Sequence, residues 1–452
     1  MIRAACGVDA SKLFVLTMKV LILSWYFPPA NDVAALRVGK LAEYLHGAGH
    51  EVSVLTSARD HSDQSLPLSL PSNRVLRTSW FDVQHLRFHR APRQRNEFVS
   101  SPSRPGADVV GLSAALRKNR PARPRLVQSL NELYMNIVEL PDKQVGWLPY
   151  LLPEGRKLLR EKSVDLIYAS GPPFTTFLAA KSLSRRFSVP WIAEYRDAWS
   201  RYVYTPKPKW RQALDERIEN IVSPTASGIV AVSEPWAEYY RKRYGLPTAA
   251  IYNGFDSDCL LPAPRRTAAP DEPVTITYLG VLYQGLRNPS LLYEAIKRSC
   301  LSPKDVRISY YGPKAAEVYP LAAKYGVSDF IAINERIPYQ RSLEIQRSSD
   351  VLLLLQSPDD PRNVPAKVFE YFASCRPILG LGLDNGIPAR LVRERNAGFY
   401  TSNVDAIATQ LTHWVAEKRT TGLIPDVPSS ARAGLSRLDQ FANLEIFMRS
   451  LV

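Results

Sequence analysis

Short unbroken apolar runs recur along this chain, and stretches with helical spacing lie between them. "KVLIL" at 19–23, "VDLIYAS" at 164–170, "VTITYLG" at 274–280 and "DVLLLLQS" at 350–357 are four of them. A run of this length with no polar alternation suits a strand buried on both faces of a parallel sheet. Parallel neighbours need a crossover connection, usually a helix. "YFPPAND" and then a helix separate the first run from "EVSVLT" at 51–56. Asp32 is placed to cap that helix, and Ala34, Val38, Leu41, Leu45 and Ala48 share one face. The chain is therefore read as α/β and doubly wound.

The series continues through "PWIAEYRDAW", "SGIVAVSEPW" and "AAIYNGFD", then stops. The next stretch, "DSDCLLPAPRRTAAPDEP", is rich in Pro and charge and lacks periodicity, as a linker does. The series restarts at 274 and runs through "VRISYYG", "FIAINERI", "DVLLLLQS" and "RPILGLG". At 452 residues, two such units are expected. The boundaries read from the sequence are an extension or mis-called start at 1–17, an N-terminal domain at 18–256, a linker at 257–273, a C-terminal domain at 274–430 and a final amphipathic helix at 431–452. A stretch at about 60–128, with "HLRFHRAPRQRNEF" and "LRKNRPARPRL", reads as a basic insertion in the first domain.

The formal net charge of +15 points to an anionic partner: nucleotide, nucleic acid or membrane surface. Cys6, Cys259, Cys300 and Cys375 form no CxxC pair, which argues against a disulfide framework or zinc knuckle and fits a cytoplasmic protein. His85 and His89 stand at i,i+4, but without a supporting motif they read as a surface pair, and no metal site is expected. No run reaches the length of a membrane span.

In open parallel sheets, ligands bind beyond the carboxyl ends of strands. The loop after "VTITYLG" carries Gly280, Tyr283, Gly285 and Arg287: glycines admit a ligand close to the backbone, and a guanidinium can grip phosphate. In "RNVPAKVFEYFASCRPIL" a helix begins near Ala366. Its first-turn N–H groups attract anions, Lys367 adds a full charge, and Glu370 lies one turn on. An acid beside a diphosphate would serve a neutral group such as ribose hydroxyls. Equally, it could simply complement the helix dipole.

These pieces, in order, resemble the nucleotide-sugar glycosyltransferases of the GT-B fold, family 4 in particular, of the bacterial polysaccharide-assembly type. The opening "MKVLILSWYFPP…AALRVGKLAEYLHGAGHEVSVLT", then "DLIYASGPP", "PWIAEYRDAW", "AVSE", "YNGFD", "YLGVLYQGLRNPSLL" and "PAKVFEYFASCRPIL" carry the likeness. The resemblance implies two Rossmann-like domains facing a cleft, donor in the C-terminal one and acceptor in the N-terminal one. It implies that Glu370 holds the donor ribose, that Arg287 and Lys367 take the diphosphate with Gly280 and Ala366, and that the backbone at Ile337 faces the base. Pro29, Asn31 and Asp32 would border donor and acceptor. Arg196 and Asp197 would approach the reacting sugar. The family often has a glutamate where this chain has Arg362, so either Asp359 or Asp360 takes its place or Arg362 meets the donor itself. Val281 stands where a second cation is common. The expectation is a retaining, metal-independent transferase, without cofactor, that glycosylates a lipid-linked or growing polysaccharide. It would work in the cytoplasm or on the inner face of an anionic membrane, with no nucleic-acid partner. A sugar-nucleotide epimerase and a degenerate nucleotide-sugar-binding protein share the pattern. A nucleic-acid binder is suggested by charge alone.

Overall fold

The computed structural model describes residues 17–58, 64–86, 125–202, 207–260, 269–282, 286–357, 361–362 and 364–452. Two all-parallel sheets organise them. The first, in the order β3-β2-β1-β4-β5-β6-β7, takes β1 (Lys19–Leu23), β2 (Glu51–Ser57), β3 (Val75–Thr78), β4 (Leu166–Gly171), β5 (Trp191–Tyr195), β6 (Gly228–Ala231) and β7 (Thr248–Ala250). The second runs β10-β9-β8-β11-β12-β13, from β8 (Val274–Leu279), β9 (Val306–Tyr311), β10 (Ile331–Asn334), β11 (Val351–Leu355), β12 (Ile378–Leu381) and β13 (Gly398–Thr401). Strand order reverses between β1 and β4 in one sheet and between β8 and β11 in the other, which makes each sheet doubly wound.

The apolar runs behave as their lack of alternation requires. In β11, Leu353 and Leu355 enter the core on one face of the second sheet, and Leu352 and Leu354 enter the core on the other. In β1, Leu21 and Leu23 face Trp147 and Phe177, while Val20 and Ile22 face Val38 and Leu41 of the first helix, Val33–Gly47. Each such leucine contributes roughly 1.5–3 kcal/mol on burial, so a polar residue on either face would be felt. Asp32 caps that helix: its backbone is extended and its carboxylate accepts from the Ala34 N–H at 2.7 Å.

Elements occur that the sequence pattern did not announce. β3 lies inside the stretch read as a basic insertion, and residues 87–124 of that stretch lie outside the described residues. β13 and the helix Val404–Thr421 complete the second domain.

The last helix, Arg437–Arg449, returns to the first domain. Phe441, Leu444 and Met448 join the core under β1 and β2. Glu445 accepts from Tyr44 Oη at 2.9 Å and pairs with His50 at 3.1 Å. The chain thus passes between the domains twice, at 251–256 and at 433–437, and the two passages touch. The Phe255 N–H donates to the Leu435 carbonyl at 3.2 Å, and the Arg437 N–H donates to the Phe255 carbonyl at 2.8 Å. Gly254 makes the approach feasible: its φ is +66°, and a Cβ there would lie 2.8 Å from the Arg437 backbone.

A buried ion pair fixes the first of these passages. Arg37, on the apolar stripe of the helix Val33–Gly47, meets Glu194 of β5 at 2.7 Å, both nearly fully buried. The guanidinium also donates to the carbonyls of Ile251 and Tyr252 at 3.0 and 2.8 Å. Ser170 donates to the other Glu194 oxygen at 2.5 Å. Burial opposes the charge on Glu194, but Arg37 and the Ser170 hydroxyl hold its carboxyl below the usual range.

Candidate active site

The candidate donor loops stand at the carboxyl ends of β8 and β11, the two strands that flank the second sheet's switch point. Gly280 follows β8 with φ +126°. From the helix Lys367–Ser374, after β11, the Lys367 ammonium reaches back to this turn. It donates to the Leu279 carbonyl at 2.5 Å and lies 4.0 Å from the centre of the Tyr278 ring. A Cβ on Gly280 would sit 2.8 Å from Lys367 Nζ, so the missing side chain is what lets the ammonium approach the turn. Burial, then the nearby Arg287 guanidinium, push Lys367 well below the ordinary lysine range, and Glu370 opposes this. Two cations crowd one spot where an anion would relieve them.

Glu370 stands one turn along the same helix. Burial raises its carboxyl above the usual range, offset by Gln346, which donates to it at 3.0 Å, and by Arg437 and Lys367. Gln346 is buried on the helix Tyr339–Ser348, and its Oε1 has no partner among the described residues. Tyr339 and Cys259 face the same carboxyl, and both are pushed up by burial, with Glu370 adding to it. Ile337 packs against the core beneath Glu370's helix, and Ala366 is that helix's N-cap.

The other wall is built at the first sheet's switch point. Arg196, just past β5, donates to the Pro172 carbonyl after β4, and its guanidinium lies 5.7 Å from the ring of Tyr26 after β1. Asp197 follows it, half-buried. Asn31 donates to Ser65 at 3.0 Å, the Pro29 carbonyl accepts from the Leu66 N–H at 3.1 Å, and Asp32 is engaged as a cap. The carboxyl edges of the two sheets face each other. Ser233, past β6, donates to the Arg362 carbonyl, past β11, at 2.7 Å.

Arg362 does not join the group around Lys367. Its guanidinium lies over Trp236 and Tyr239 of the first domain, 5.2 and 5.3 Å from the ring centres, as a cation–π clasp between the lobes. Asp359 and Asp360 lie outside the described residues, as do Tyr283 and Gly285, and His89 beside His85. Val281 is exposed. No group of three metal-ligating side chains occurs among the described residues.

The structure therefore gathers Gly280, Arg287, Ala366, Lys367 and Glu370 on one wall, and Arg196, Asp197 and the Pro29–Asp32 loop on the other. Sequence reasoning missed Tyr278, Gln346 and Arg37. Arg37 left a signal, since a cation at the centre of an apolar helical stripe must have a buried partner. Gln346 left none, because its role arises only from contact with a helix 24 residues away.

Two doubly wound parallel sheets whose carboxyl edges face one another, with cations at one switch point, are the architecture of a GT-B glycosyltransferase. Residues 34–254 match the family model of the glycosyl transferase 4-like domain. Solved structures agree in fold. Sucrose-phosphate synthase from Thermosynechococcus elongatus is 16% identical with a TM-score of 0.61, covering 96% of this chain and 99% of its own. HepE from Anabaena, in complex with UDP, is 15% identical with a TM-score of 0.59, covering 96% and 100%. The lipopolysaccharide outer core galactosyltransferase WaaB in its apo form is 11% identical with a TM-score of 0.57, covering 96% and 99%. No curated protein matches the sequence.

Proposed function

We propose that this chain transfers a hexosyl group from a nucleoside diphosphate sugar to a hydroxyl of a lipid-linked or growing polysaccharide, with retention of configuration and without a metal ion. The observation that carries this reading is the Lys367 ammonium drawn up against the turn at Gly280, with the Arg287 charge acting on it. In the reaction the anomeric C–O bond to the β-phosphate breaks and a bond to the acceptor oxygen forms. The acceptor proton leaves with the diphosphate. Charge grows on the departing phosphate oxygens, and two fixed cations with the helix N–H groups beyond Ala366 stabilise it there. Glu370, oriented by Gln346, holds the ribose hydroxyls, Ile337 borders the base, and Arg196 and Asp197 face the transferred sugar. HepE, which shares the fold, binds UDP, UDP-glucose and, alongside UDP, glucose, which favours a donor of this class.

A thermal-shift panel of nucleoside diphosphates and their hexose derivatives tests the reading. The preferred ribonucleotide should raise the melting temperature with or without chelator, and its 2′-deoxy form should do so less. Gln346→Ala should narrow that difference by about tenfold in affinity, the loss expected when a buried carboxylate loses its hydrogen bond. A panel without any shift would remove the donor site.

No helix among the described residues is long and apolar enough to cross a membrane. A surface site on an anionic bilayer is supported instead by Leu130, Leu133 and Ile137, exposed along the helix Arg125–Val138, and by exposed Trp210. Trp210 lies next to Arg211, whose guanidinium binds the carbonyls of Asn136 and Glu139. Lys207 and Lys209 stand beside it. Apolar side chains beside the exposed Lys209, with Lys207 and Arg211 both paired to Asp215, suit an anionic interface. Vesicles containing phosphatidylglycerol should sediment the protein, neutral vesicles should do so less, and Ile137→Asp should weaken both. Equal, negligible sedimentation with either kind of vesicle would contradict the membrane assignment.

A further inference from the structure

The carboxyl edge of the first sheet carries a second feature, separate from the cations around Lys367. Beyond β1, β2 and β3 lies a cavity of about 550 Å³, within the range of ligand sites. Its walls include Trp25 after β1, Trp80 after β3, and the polar side chains of Asp82, Gln84, Lys143 and Gln144. The two indoles pack edge to face with centres 5.0 Å apart. Trp25 is 1% exposed, yet its indole N–H has no acceptor among the described residues. Trp80 is only partly buried. Asp82 is held by its own loop: it accepts from the Gln84 N–H at 2.9 Å, and His85 stands 4.0 Å from its other oxygen.

We propose that this cavity is a subsite for one pyranose ring of the acceptor saccharide, at a distance from the reacting hydroxyl. The assignment rests on the transferase reading above and deepens it by naming what the acceptor must contain. An aromatic face with carboxylate and amide groups at its rim is the chemistry that grips a sugar. The ring's C–H face packs on the indole, and its vicinal hydroxyls exchange hydrogen bonds with Asp82, Gln84 and Gln144. Lys143 adds a donor at the rim. The subsite adjoins the reacting wall, because Trp25 is followed by Tyr26, whose ring carries Arg196. A glycan entering here would run along the carboxyl edge of the first sheet toward Asp197. The acceptor would then be at least a disaccharide, and one bearing only the reacting sugar would be used poorly.

Saturation-transfer NMR on the full chain tests this with free methyl pyranosides and disaccharides as probes and glycerol as the acyclic control. The same protein is titrated in parallel with nucleoside diphosphates. Pyranosides should receive saturation and glycerol should not. Trp80→Ala should weaken pyranoside binding about tenfold, as loss of an aromatic platform does. Asp82→Asn, which keeps an oxygen to accept from the Gln84 N–H, should weaken it as well. In turnover assays both variants should raise the acceptor KM more than they lower kcat. Nucleotide binding without pyranoside binding would overturn the subsite and leave the donor site standing. Pyranoside binding without nucleotide binding would overturn the donor site and leave the subsite standing. Pyranoside binding unchanged in both variants would place the sugar elsewhere and overturn the assignment.

Discussion

Lys367→Ala should lower kcat by roughly 10²–10³, with donor affinity falling less, the size of effect seen when one preorganised charge donor is removed from a leaving group. Burial and Arg287 weaken the hold of Lys367 on its proton in the free protein, so the folded chain carries a site that disfavours its own cation. A diphosphate reverses that balance, and the transition state, with more charge on the departing oxygens, reverses it further. The sign of the pH dependence follows. Lysine is charged below its pKa, and this pKa is low in the free site and restored in the complex. Diphosphate affinity should therefore be greatest below the free-site pKa and fall as pH rises through it, as proton uptake becomes part of binding. Isothermal titration at several pH values in buffers of different ionisation enthalpy measures both effects. In Lys367→Ala the pH dependence should flatten. A slope that persists in the variant would assign the linkage to another group.

Glu194→Ala should cost about 3–5 kcal/mol of stability, since it leaves the Arg37 guanidinium buried without its carboxylate. Unfolding of the first lobe should move down by on the order of 10 °C. Replacing both partners, Arg37→Met with Glu194→Leu, should recover much of the loss, because the penalty comes from the orphaned charge and the apolar pair needs no partner. The single change should also loosen Ile251 and Tyr252, whose carbonyls Arg37 holds, and hydrogen exchange there should quicken. The pair's own pH dependence is that of a depressed carboxyl. Its contribution is present above the unfolded glutamate pKa and is lost as pH falls through the lower folded one. A melting temperature equal to that of the unmodified chain would show that the pair contributes nothing net.

The sheet was legible in the sequence where burial on both faces forces unbroken apolar runs, as in β1, β8 and β11. It was not legible at β3, an edge strand of four residues in which Leu76 is exposed and Arg77 reaches across to the Pro28 carbonyl. An edge strand needs only one buried face, so its pattern is weak, and here arginines and prolines surround it. The Asp32 cap was legible because capping is local. The donor wall was legible in part: Lys367 and Glu370 sit one turn apart on a single helix, and Gly280 and Arg287 share a loop. Their company was hidden, since Tyr278, Gln346 and Tyr339 come to them from other elements. Arg362 shows the limit most clearly. Its place before the helix suggested the donor, but two aromatic rings more than 120 residues earlier in the chain hold it.

The adjoining passages at Phe255 and Leu435–Arg437 bear on how the two halves can move. A single connecting strand would act as a swivel, free to twist as well as bend. Two strands laid side by side and stitched to each other act as a door hinge, with one axis along the seam. The halves can open and shut about that line, but shearing or spinning would tear the backbone bonds between the strands. Because the final helix is clamped to the far half, each opening must return along the same arc, and the two walls meet in the same register every time.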